Sequence, residues 1–241
     1  MQSSIYVGLS AQLSLQRRLD TIANNVANTA TAGFRSEEVK FETLLSRTPA
    51  EPVAFAAIGD TYLSRRAGEL VKTDNAFDVA VQGDAWLAIN TPQGQVYTRD
   101  GRMQMTETGD LQTLNGYAIL DVGGAPIQLD PANGPPQIAR DGTITQGGRQ
   151  VGALGLFTIP PQAKLTRWEN SGVIPETPAS PALDFTKVGV VQGFMERSNV
   201  NPVMEMTRLI GVSRAFDAIA ASLSDSEAAL RDAIKTLGSN S

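Results

Sequence analysis

The chain has 241 residues, enough for one or two domains with a real core. Twenty Lys+Arg against 25 Asp+Glu give a formal charge of −5 with no basic cluster, which argues against a nucleic-acid partner. With no cysteine and no histidine, disulfides, thiol catalysis and the usual neutral-pH base and metal ligand are excluded.

The first segment reads as a helix. From Ser3 to Ala30, Ile5, Gly8, Gln12, Leu15, Leu19, Ile22 and Val26 fall alternately three and four residues apart, forming one seam with Arg17, Arg18 and Asp20 off it. Asn24, Asn25 and Asn28 follow, able to cap locally or to bond across an interface, and Gly33 is the expected terminator. Such a helix either packs on its own domain or is supplied to an intermolecular coiled coil. The N-terminus lacks the cationic start and apolar stretch of a cleaved secretion signal, and no run approaches the ~18 apolar residues of a membrane span. The expectation is a cytosolic protein or one exported through a dedicated channel, with no stable membrane insertion.

Residues 35–75 form a bridge, in which Glu37 to Leu45 is expected to extend or restart a helix that Thr48–Pro52 breaks. Arg65 and Arg66 read as solvated surface. From Phe77 the period becomes two: Phe77, Val79 and Val81 alternate with Asp78, Ala80 and Gln82, a half-buried strand. Strands follow at Trp86–Ile89, Gln95–Thr98, Met103–Met105, Leu111 and Tyr117–Leu120, the last after an Asn115-Gly116 turn. Ile127–Leu129, Gly142–Thr145, Leu154–Ile159 and Val188–Phe194 continue the series, and the prolines at 160–161 and 175–181 mark loops or edges. The middle is therefore expected to be an antiparallel, irregular β body.

The last segment carries the strongest pattern. Leu209, Phe216, Leu223, Leu230 and Leu237 recur every seven residues, with Val212, Ile219 and Ala233 three residues after their heptad partners, a left-handed coiled-coil signature. Asn201 is placed to cap this helix and Pro202 to be its first residue. Pairing the two terminal helices would bury both stripes on one stem. The predicted fold class is thus a mostly β middle domain with long N- and C-terminal α-helices packing as a coiled-coil-like stem. The domain limits are 1–34, 35–75, 76–195 and 196–241.

Candidate chemistry is sparse. Asp74, Asp78, Asp84, Asp100 and Asp110 lack the spacing of a calcium loop and sit where turns favour aspartate. Tyr97, Arg99 and Arg102 suggest an anion-binding patch or, more simply, cross-strand surface contact. Asp141 and Glu176 are isolated acids with no paired group. No catalytic residue, metal or cofactor is assigned.

Four blocks resemble the flagellar rod and hook axial proteins: Leu19-Asp-Thr-Ile-Ala-Asn-Asn-Val-Ala-Asn-Thr-Ala-Thr-Ala-Gly-Phe-Arg35; Phe77-Asp-Val-Ala-Val-Gln-Gly-Asp-Ala-Trp86; Tyr97-Thr-Arg-Asp-Gly101 with Gly109-Asp-Leu-Gln-Thr-Leu-Asn-Gly-Tyr117; and Gly193-Phe-Met-Glu-Arg-Ser-Asn-Val-Asn-Pro-Val-Met-Glu-Met206. They span most of the chain in family order; Ala85-Trp86 stands where glycine-phenylalanine is common. The resemblance implies a structural subunit whose terminal helices line an inner tube, with a β domain outside. It further implies export through the flagellar type III apparatus without signal cleavage. Partners would be copies of itself and other proximal and distal rod proteins, in a periplasmic rod that transmits motor torque. On that reading Leu15, Leu19, Ile22, Val26, Leu209, Phe216, Leu223 and Leu230 form the assembly seam, and Asn24, Asn25 and Asn28 supply polar connections. One middle domain fits a proximal-rod member. A distal-rod member is the alternative, and a secreted β-domain adhesin or binding module is the alternative of another class.

Overall fold

A computed structural model of the chain describes residues 2–45 and 54–238, and divides into two compact units. Among the described residues, the first comprises 2–27, 37–45, 54–62 and 201–238, the second 28–36 and 63–200.

The first unit is built on helix α1 (Gln2–Ala27), strands β1 (Glu37–Leu45) and β2 (Ala54–Leu63), and helix α2 (Pro202–Gly238). The cap of α2 is the expected one: Asn201 Oδ1 accepts from Met204 N–H at 3.1 Å, and Pro202 opens the helix where its missing N–H needs no partner. The seven-residue repeat lies on the packed side, where Val212 is buried and Leu209, Phe216, Ile219 and Leu223 are half-buried. Gly8 of α1 lies so close to Leu223 that a Cβ on it would sit 2.7 Å from Leu223 Cδ2. Ile22 and Asn25, near the other end of α1, share a hollow with Glu205 and Arg208 at the start of α2. The helices therefore run antiparallel, side by side, and bury their stripes on each other.

Two expectations fail nearby. Glu37–Leu45 is strand β1, paired with β2, rather than a helix; Val39, Phe41, Thr43 and Leu45 alternate with Glu38, Lys40 and Glu42, and a partner strand decides for the period of two. The proposed break at Thr48–Pro52 lies outside the described residues. Helix α1 ends at Ala27, six residues before Gly33.

The second unit is β-rich. Its strands are β3 (Leu70–Lys72), β4 (Val79–Gln82), β5 (Trp86–Thr91), β6 (Gly94–Thr98), β7 (Met103–Met105), β8 (Leu111–Thr113), β9 (Ala118–Ile119), β10 (Gln137–Ile138), β11 (Thr143–Gln146), β12 (Arg149–Ala153), β13 (Leu156–Thr158), β14 (Leu165–Trp168), β15 (Gly172–Pro175), β16 (Ser180–Pro181), β17 (Gly189–Gln192) and β18 (Phe194–Glu196). The main sheet runs β14-β15-β6-β5-β9-β8-β7, with β13 joining β5 to the proline-bearing edge strand β16. Smaller antiparallel pairings join β10-β11-β12, β4 to β17 and β3 to β18.

Strands β5 and β6 are buried on both faces. Leu87, Ile89 and Val96 enter one apolar cluster, Trp86, Ala88 and Tyr97 the other, as alternation along a strand requires. Strand β4 is likewise not half-buried: Val79, Ala80 and Val81 are all inaccessible, because β17 and the Gly101 carbonyl close around it. Asn115-Gly116 makes the expected turn, with Gly116 at φ +86° and its N–H on the Thr113 carbonyl.

Candidate assembly elements and a buried ionic cluster

In the first unit the helix pair places most of the sequence-nominated residues. Leu15, Leu19, Val26, Leu209, Phe216 and Leu223 are half-buried and Ile22 is buried, all on the packed sides of α1 and α2. Leu230 lies in α2, but its side chain falls outside the described residues. Asn25 has a more specific task. Its Nδ2 donates to the Glu37 carbonyl and its Oδ1 accepts from the Glu37 N–H, both at 2.9 Å, so its amide mimics a peptide group and pins the start of β1 to α1. Asn24 is half-buried. The hollow beside Asn25, about 170 Å³, also holds Arg18 and the buried carboxylate of Glu205, which takes a 2.6 Å ion pair from Arg208 one turn on.

In the second unit, side chains from all four sequence blocks converge. Glu196, on β18, is fully buried and accepts from Arg35 at 2.8 Å and Arg99 at 2.7 Å. Its Oε1 also accepts the Gly68 N–H at 2.8 Å. Arg99 also donates to the carbonyls of Val81, Gly83 and Ala85, closing the turn between β4 and β5. Arg35 also donates to the Arg66 carbonyl. Both guanidiniums flank the Trp86 ring, 5.8 and 5.9 Å from its centre. One carboxylate thus faces two cations in a desolvated space. Burial pulls Arg35 down to about 10; Glu196 opposes that shift and Arg99 adds to it.

The backbone around the cluster leaves no room for larger residues. Gly33 adopts φ +67° and a Cβ there would sit 2.3 Å from Asp100 N; its N–H donates to the Glu196 carbonyl. Close approach to the Arg99–Asp100 backbone, rather than helix termination, explains this glycine. Phe34 is fully buried beneath the Arg167 guanidinium, 4.2 Å away. Asn199 bridges like Asn25: its Oδ1 accepts from Ser36 N–H at 2.7 Å and its Nδ2 donates to the Arg66 carbonyl at 2.8 Å. Asn28 turns the chain locally, accepting from the Thr31 hydroxyl and N–H.

Two surface assignments are corrected here. Arg65 is not a solvated cation, since it donates to the carbonyls of Ile159, Pro160 and Ala163. Tyr97, Arg99 and Arg102 form neither an anion patch nor a surface contact. Tyr97 packs edge-on to Phe157, Arg99 is buried, and Arg102 is matched by Asp100. The remaining acids have local roles, Asp78 beside Asn75 and Asp110 beside Thr106 and Thr108. Sequence reasoning missed the triad of Arg35, Arg99 and Glu196. The available signal was that each lies inside a block carrying the family resemblance, although each reads alone as a surface charge.

Comparisons with known proteins agree along the chain. Residues 5–35 match the family described as flagella basal body rod protein, residues 80–146 the flagellar hook protein FlgE/F/G D1 domain, and residues 191–236 the flagellar basal body rod FlgEFG protein C-terminal family. A flagellar basal-body rod protein FlgF of Mesorhizobium japonicum is 54% identical over the whole of both chains. A FlgF of Rhizobium meliloti is 47% identical over 99% of each. A FlgG of Bacillus subtilis is 30% identical over 97% of this chain and 98% of its own.

Proposed function

The chain belongs to the flagellar basal-body rod protein family and is a structural subunit of the rod, associating with other rod proteins in the basal body; we propose that it serves in the proximal rod. The observation that carries this placement is full-length identity of 54% and 47% to FlgF proteins, against 30% to a FlgG of comparable coverage. The chain would reach the periplasm through the flagellar export apparatus without signal cleavage, polymerise through its terminal helices, and pass motor torque toward the hook.

In this reading the paired helices act as a coiled-coil-like stem. Leu15, Leu19, Ile22, Val26, Leu209, Phe216, Leu223 and Leu230 build it, and Asn24, Asn25 and Asn28 fix its polar connections. Antiparallel packing of two apolar stripes drawn from opposite ends of the sequence supports that role. A rod under torque needs many simultaneous contacts, so rim charges matter little and seam residues a great deal. A label fused after Ser241 and located by electron cryotomography of intact motors tests the placement. Density in the proximal rod is expected, and density confined to the segment next to the hook would overturn it.

A further inference from the structure

In the β-rich unit, the turn between β8 and β9 and the hairpin joining β14 to β15 flank a hollow of about 110 Å³. Two aromatic rings form part of its wall. Trp168, half-buried, meets the Tyr117 ring edge-on at 5.1 Å and 69°. Gly172 pairs with Trp168 across the hairpin, and a Cβ on it would sit 2.8 Å from Trp168 Cε3, so a glycine is what gives the indole its place. Polar groups surround the aromatic pair. The Tyr117 hydroxyl donates to Glu169 Oε1 at 2.8 Å, and Arg102 donates to Asp100 through Nε at 2.9 Å and Nη2 at 2.7 Å. Glu169 Oε2, Arg102 Nη1 and the side-chain amides of Asn115 and Asn170 belong to lining residues and have no hydrogen-bond partner among the described residues.

The backbone adds an independent sign. Glu169 adopts φ +47°, a left-handed conformation uncommon outside glycine, asparagine and aspartate. A glycine would make the same turn without strain, so the strain goes with the side chain, whose carboxylate is held beside the aromatic pair. The charges then select a ligand. Asp100 and Arg102 neutralise each other, and Glu169 leaves the hollow one negative charge, which turns away phosphates and carboxylates. An ammonium would suit the rings and Glu169 but would also meet Arg102. A neutral ring bearing adjacent hydroxyls fits all of these groups, because each hydroxyl both donates and accepts. Arg102 offers a donor, Glu169 an acceptor and the two amides either, while the indole offers a flat apolar surface to C–H groups. We propose that this hollow is a carbohydrate subsite that holds one neutral sugar ring. It stands independently of the placement in the rod.

The test uses the full chain in solution, with glucose and N-acetylglucosamine as probes, each free and as its linear trimer (cellotriose and chitotriose). Amide NMR signals of Asn115, Tyr117 and residues 168–170 are expected to shift with at least one probe, saturating in the millimolar range. Asn115→Ala and Glu169→Gly should each weaken that binding about tenfold. Glu169→Gly should do so without lowering the thermal unfolding midpoint, which separates loss of a ligand contact from loss of the hairpin. A trimer binding more tightly than its monomer assigns the subsite to a glycan chain, and equal affinities assign it to a free sugar. No shift with any probe, shifts spread away from the hollow, or unchanged binding in both variants would each overturn the subsite. Shifts at the hollow with lysine methyl ester or inorganic phosphate and none with the sugars would overturn the choice of a neutral ring.

Discussion

Glu196 is the residue on which the second unit depends most heavily, because it neutralises two guanidiniums that have left water. Glu196→Gln leaves both buried without a counter-charge and is expected to cost about 3–5 kcal/mol in denaturant unfolding. Gly68 is nearly as constrained, since a Cβ there would lie 1.8 Å from the Arg197 carbonyl oxygen. Gly68→Ala should cost about 1–3 kcal/mol by the same measurement, by prising β3 from β18. A milder effect is expected at Asp184. The Thr186 hydroxyl first, then Lys187 and the Thr186 N–H, hold its carboxyl below the usual carboxylate range. A lowered pKa in the folded state means that this support is present above the ordinary value of about 3.9 and disappears as the pH falls through the folded one. An NMR titration should place the Asp184 midpoint below the ordinary value, and Thr186→Val should return most of the shift.

Among the elements, the helix pair is where a single charge should do the greatest harm. Leu223→Asp or Phe216→Asp places a carboxylate in the packed side of α2. The expected outcome is loss of motility in swimming assays, with the near-UV signal of Trp86 and Trp168, both in the second unit, unchanged. The α2 repeat and its Asn201-Pro202 start were legible because helix periodicity and capping are local. So were the Asn115-Gly116 turn and most strands of the main sheet. Strand β1 was not: glutamate, lysine and leucine favour a helix, and the partner strand that overrides them begins at Ala54. The ionic cluster was hidden for a related reason. Arg99 and Glu196 are 97 residues apart, and nothing beside either one in sequence shows that it is buried.

At the scale of the whole molecule, the two units hold themselves together by different means. The second has clusters on both faces of a sheet, whereas the first relies on one seam between two helices with a small strand pair. Amide exchange in dilute monomer should therefore be faster throughout α1 and α2 than in β5 and β6, and the difference should narrow in isolated basal bodies. Equal protection in the monomer would mean that the stem needs no neighbours. The position of Glu196 also imposes a timetable. A chain emerging N-terminus first presents Arg35 and Arg99 long before their shared carboxylate arrives, so the β body cannot complete its core until residue 196 is out. If the chain is exported through a narrow channel, as proposed above, such delayed closure would keep it threadable and postpone its commitment to shape until nearly all of it is on the far side.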